Sequence, residues 1–169
     1  MNKPNLDQVA DYYHKYIKLV PDGDFYNLMN NNVLLLKKAL AKNKKGADYA
    51  YAEGKWTIKE IVSHLIDVER VMMNRVHAFV RGEKNPIAGY DHDAYVADAD
   101  LSNKSLEGLI NEFELIRKAN LAMFQNFSEL EWERGGIANN VQFTVRAIAY
   151  IMIGHVIHHV NVLEERYYD

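Results

Sequence analysis

No cysteine occurs among the 169 residues, so disulfides, a thiolate zinc site and a cysteine nucleophile are excluded. Any thiol that takes part in chemistry has to come from outside the chain. Only three prolines and nine glycines are used, which leaves few breaks and suits long helices. No uninterrupted apolar run approaches the roughly 20 residues needed to cross a bilayer, so no membrane partner is expected. Charge of neither sign is concentrated: the net charge is −3 with the signs interspersed, and no nucleic-acid partner is expected. The opening stretch, MNKPNLDQVADYY, lacks the apolar core of a secretion signal, which leads to the expectation of a cytoplasmic location.

Apolar residues, by contrast, make up 49% of the chain, enough to bury a core in one domain over residues 1–169. They recur at helical spacing in four long stretches. The first runs from about Asp24 to Lys42, with Phe25, Met29, Val33, Leu36 and Leu40 as its stripe. The second opens at Thr57, where Thr57 and Glu60 form an S/T-x-x-E capping box, and ends near Arg81. The third runs from about Ser105 to Phe127, and the fourth from an N-cap at Thr144 to about Tyr167. A shorter helix over LDQVADYYHKYIKLV precedes them. No alternating, strand-like segment competes, so the fold class is all-α: a four-helix bundle with an additional short N-terminal helix. Between the second and third stretches lies KNPIAGYDHDAYVADADLSNK, read as a loop of about 20 residues and therefore a candidate for function.

Three of the seven histidines crowd into GHVIHH near the end of the chain. On a helical wheel His159 falls about 40° from His155, beside the stripe of Val145, Met152, Val156 and Leu163; His158 falls about 60° to the other side. His155 and His159 thus form the inward i, i+4 pair, the spacing at which two imidazoles reach one ion. In the second helix His64 has a matching offset from Ile61, Leu65, Val68 and Met72. Three imidazoles could then meet between two helices, where bundles build metal sites. Arg117 is a charge inside the third stripe, among Phe113, Leu121 and Phe124; it is read as a group that binds a substrate carboxylate or pairs with an acidic loop residue, or else as a stem that packs while its head reaches solvent.

Three segments, YAEGKWTIKEIVSHLIDVER, RGEKNPIAGYDHDAYV and VRAIAYIMIGHVIHHVNVLEERY, resemble in content and order the DinB-like superfamily of metal-dependent enzymes. The resemblance covers nearly the whole chain. It implies a four-helix bundle of non-simple helix order, a homodimer, and one divalent metal on His64, His155 and His159, the same three that the wheel selects. It also implies an activity on a small-molecule substrate: a thiol S-transferase using bacillithiol or a related low-molecular-weight thiol as cosubstrate, or a hydrolase.

A three-histidine site leaves coordination positions open for water or a thiol. Zinc or nickel is expected, with iron or manganese also compatible with imidazole ligands. With imidazoles of ordinary pKa, metal would be released as pH falls toward about 6.5. Tyr90, Asp91 and Asp93 in the long loop are the candidate catalytic groups, and His92 is placed to border a cleft. The competing reading is a non-catalytic bundle that holds metal structurally or senses a small ligand.

Overall fold

The computed structural model describes residues 2–168. Four long helices make the bundle: α2 (Phe25–Leu40), α3 (Ile58–Val80), α5 (Leu106–Phe124) and α7 (Val145–Arg166). Each starts where a side chain captures a free backbone N–H of the first turn: Asp24, Thr57, Ser105 and Thr144 in turn. At Thr57 the box is complete, with the Glu60 carboxylate accepting from the Thr57 N–H at 2.6 Å. The stretches read from the sequence end within a few residues of these helices.

The helix order is not up-and-down. Both α2 and α3 pack on α5 and on α7, so α2 and α3, consecutive long helices, sit diagonally across the bundle. The N-terminal segment divides in two, a single 3-10 turn at Leu6–Gln8 and α1 (Asp11–Leu19), and α1 lies along α7. This second cover makes α7 the central helix. One-sided burial, assumed on the wheel, therefore does not hold for it: Ala147 and Tyr150, opposite the expected stripe, are as buried as Met152 and Val156. Among the described residues α7 alone is long and apolar enough to cross a bilayer, but most of that apolar window is covered by neighbouring helices.

Gly154 explains how α1 gets so close. A Cβ at that position would lie 2.0 Å from the Tyr16 carbonyl oxygen, so only glycine permits the contact. The approach sets the Tyr16 ring 5.3 Å from the His155 ring.

Two features depart from the sequence reading. The long loop is interrupted by a helix, α4 (His92–Asp98), capped by Asp91 and packed on α3. After the short α6 (Glu129–Glu133) comes a hairpin of β1 (Gly135–Ala138) and β2 (Val141–Thr144). Its two turn residues, Asn139 and Asn140, have φ of 50° and 58°, the left-handed pair that a two-residue hairpin turn demands and that asparagine tolerates. Ile87 pairs with the hairpin, its N–H donating to the Ile137 carbonyl and its carbonyl accepting from the Asn139 N–H, both at 2.9 Å. That clip holds the start of the former loop against the bundle and places Tyr90 and His92 beside α3.

Arg117 neither faces the cleft nor reaches solvent; it pairs with an acidic residue, but one from α3 and not from the loop. It is fully buried and bonds the Glu69 carboxylate at 2.5 Å; Asn120 donates to the other Glu69 oxygen at 2.7 Å, and Asn32 lies 3.4 Å from the guanidinium. A charge in an apolar stripe has to be answered from within the core, and here α3 supplies the carboxylate. The guanidinium belongs to the interior between α2, α3 and α5, not to the cleft described next.

Candidate metal centre

His64 on α3 and His155 and His159 on α7 point their Nε2 atoms at one place. His155 Nε2 is 3.2 Å from His64 Nε2 and 3.2 Å from His159 Nε2, and the three nitrogens all lie within 4.8 Å of one another. The helix period produces this directly: positions 155 and 159 stack one turn apart, and α3 packs against α7 so that His64 meets them. Two nitrogens bound to one zinc at about 2.1 Å and tetrahedral angles stand about 3.4 Å apart. Two of the separations, at 3.2 Å, match that spacing, and the third lies within 4.8 Å, so the group could hold a single ion. Three imidazole nitrogens facing each other cannot all be satisfied by hydrogen bonds among themselves, because each neutral ring has one N–H and one lone pair. A cation satisfies every lone pair at once.

The rings are 4–8% exposed. Burial is the main cause that holds His64 down to about 4 and His155 and His159 well below the ordinary histidine value, with the neighbouring imidazoles adding to it. All three are thus neutral near pH 7, the state in which imidazole ligates. Release of metal by protonation moves accordingly to lower pH than an ordinary imidazole would give. Among the described residues the group has three members, with no fourth carboxylate or imidazole completing it.

The histidines floor a cleft of about 440 Å³, within the range of small-molecule sites. Tyr16 closes it on the α1 side. Trp56 sits over the histidine rings, 4.8 Å from His64 and nearly parallel to His159 at 6.3 Å. Asn139 and Val141 of the hairpin form the far wall.

The loop candidates separate. Tyr90 lines the cleft, and its phenol is pushed up to about 12, by burial first. It keeps its proton at neutral pH, so it can donate a hydrogen bond but not act as a base. Asp91 is spent on the α4 cap, accepting from the Asp93 and Ala94 N–H groups at 3.0 and 3.1 Å. Asp93 borders a neighbouring depression next to Trp56, His158 and His159. His92 does border the cleft, its ring 5.7 Å from His64. His158 also lines it, 5.1 Å from the His159 ring, half-buried and outside the three-nitrogen group. Sequence reasoning missed Trp56, Tyr16 and Arg75, all cleft-lining; Arg75 falls about 20° from His64 on the α3 wheel, so the signal was present.

Comparison with known proteins agrees with this architecture. No curated protein matches the chain. Among solved structures, YfiT from Bacillus subtilis, described as a probable metal-dependent hydrolase with an unusual four-helix bundle topology, superposes with a TM-score of 0.73 at 19% identity. The match covers 97% of this chain and 90% of that one. The DinB superfamily family model matches residues 6–163, nearly the whole length, and the chain belongs to that superfamily.

Proposed function

We propose that this protein is a divalent-metal-dependent enzyme in which His64, His155 and His159 hold one zinc or nickel ion and the nucleophile is water or a low-molecular-weight thiol, making it a hydrolase or a thiol S-transferase. The observation that carries this reading is the open three-nitrogen group at the floor of a cleft; a structural zinc is normally enclosed by four protein ligands. A divalent ion bound there supplies a Lewis acid that lowers the pKa of an incoming water or thiol.

The chain's own residues do the rest. Trp56 and Tyr16 cover the ligand rings and fix their orientation, excluding bulk water from two sides. Tyr90 offers a phenol proton as a hydrogen-bond donor to a polar group of the substrate. His92 and His158, at the rim, are within the cleft and free of the three-nitrogen group, so either can take or return the proton of the nucleophile. Asp93 stands behind His159 on the outer side. The absence of cysteine leaves no internal thiol to compete with one brought in as cosubstrate.

The test is metal analysis of purified protein, followed by ester hydrolysis and thiol-conjugation assays with and without chelator. Turnover that disappears with the metal and returns on adding zinc or nickel supports the reading. Stoichiometric metal with no turnover of either kind, or full turnover after chelation, overturns it.

A further inference from the structure

Two arginines are buried in the bundle, and they are treated differently. Arg117 has Glu69. Arg75, on α3 and only 3% exposed, has no carboxylate within ion-pair distance among the described residues. Its Nε–H has no partner, its Nη1 meets the Met72 thioether sulfur, a weak acceptor, at 3.7 Å, and the neutral Tyr13 phenol is its hydrogen-bond partner. The guanidinium lies over the Phe143 ring at 5.6 Å, which holds a cation without neutralising it. Asp67, also on α3 but about 80° round the helix from Arg75, answers to Arg70 and Lys104. A buried guanidinium with only neutral partners is costly, which leaves room for an anion from outside the chain.

Arg75 opens on the same cleft as the histidines. His64, Val68, Met72 and Arg75 follow at spacings of four, four and three, so they share one helix face, and all four line the cavity. At 1.5 Å per residue the Cα atoms of His64 and Arg75 are about 16 Å apart along α3. The Arg75 head leans back toward the helix N-terminus, as its Met72 contact shows, which brings it to the order of 10 Å from the histidine group. Between the two ends the wall is apolar, formed by Val68, Met72 and Ile151. At the arginine end two phenols, Tyr13 and Tyr90, supply neutral hydrogen-bond donors; both are raised by burial and pulled back by the Arg75 charge.

We propose that Arg75 is the anion-binding end of the cleft and that the substrate is an elongated small molecule with a carboxylate there, an apolar middle, and its reacting group on the order of 10 Å away at the histidines. One cation with two neutral donors balances one negative charge, which selects a carboxylate over a doubly charged phosphate. This rests on the reading of the histidine group as the reacting end, but the carboxylate contact itself needs no metal.

Calorimetric titration of chelator-treated protein with octanoate and with its uncharged amide, octanamide, tests it. Octanoate binds the native chain at least tenfold more tightly than octanamide, and Arg75→Met removes that preference while a melting curve shows the variant folded. Should Arg75→Met fail to fold, phenylglyoxal modification read by mass spectrometry replaces it: octanoate slows modification of Arg75 several-fold, and octanamide does not. Equal binding of acid and amide, a preference that survives Arg75→Met, or equal shielding of Arg75 by both probes overturns the proposal. Zinc that fails to bind while the octanoate preference persists removes the metal-enzyme reading and leaves the Arg75 site standing.

Discussion

Acid should unfold the metal-free protein over a pH window that the buried histidines define. In the unfolded chain each imidazole titrates near 6.5. In the fold His64 is held down to about 4, and His155 and His159 lie well below 6.5, with burial the leading cause for each. Between about 6.5 and 4 the unfolded chain therefore takes up protons that the folded chain refuses. Stability is full above 6.5 and falls as pH drops through that window. For His64 the shift of about 2.5 units corresponds to about 3 kcal/mol, and at 4% exposure little of it is lost to solvent screening. That is a large part of the 5–15 kcal/mol typical of a domain. The assay is urea denaturation of chelator-treated protein at half-unit steps from pH 7.5 to 4.5, native chain against His64→Gln. The native curve should fall more steeply below pH 6, by about one proton or about 1.4 kcal/mol per pH unit. Carboxylates that titrate at the acid end are common to both proteins and cancel. Parallel curves would refute the reasoning, because they would mean that His64 protonates in the fold as readily as in the unfolded chain.

Four further outcomes are expected. His64→Ala, His155→Ala and His159→Ala each strip most of the metal, whereas His158→Ala keeps it, as read by metal content of the variants purified side by side. Glu69→Ala leaves the Arg117 guanidinium buried without its carboxylate and costs about 3–5 kcal/mol, a fall in melting temperature of about 6–20 °C by calorimetry. Gly154→Ala drives a methyl group into the Tyr16 carbonyl and destabilises by about 2 kcal/mol or more in denaturant titration. We also propose that the protein is a homodimer, as the family resemblance implies; sedimentation velocity at micromolar concentration checks it, and a single monomeric boundary would contradict it.

The parts of this fold that repeat were legible, and the parts that depend on a single close contact were not. The caps at Thr57 and Thr144 and the 3.6-residue stripes located α3 and α7 to within a residue or two, because caps and periodicity are local. The same locality placed His155 and His159 on one face. The hairpin escaped because its strands are four residues long and the first opens on Gly135 and Gly136, which carry no side chains to alternate. The burial of α7 on both sides escaped because it is imposed in part by α1, a helix too short to announce what it covers. Arg117 and Arg75 show the limit most clearly. Both are charges on apolar stripes, and sequence spacing cannot say which of the two meets a glutamate across the core and which faces a cavity.

The diagonal placement of α2 and α3 has a consequence for how the protein is made. His64 leaves the ribosome 91 residues before His155, an interval of roughly 5–18 s at ordinary synthesis rates. Through that interval α2 and α3 cannot shield each other, and both wait with an apolar face turned to the slot that α7 will fill. A nascent chain stopped short of α7 carries one of the three imidazoles and cannot compete for an ion. If the three histidines hold an ion as proposed, metal uptake would report that the last helix has docked, and an ion binding only then would pull the late docking step forward by mass action. Scarcity of metal during growth should accordingly appear first as a pool of incompletely closed chains vulnerable to proteases, before it appears as lost turnover.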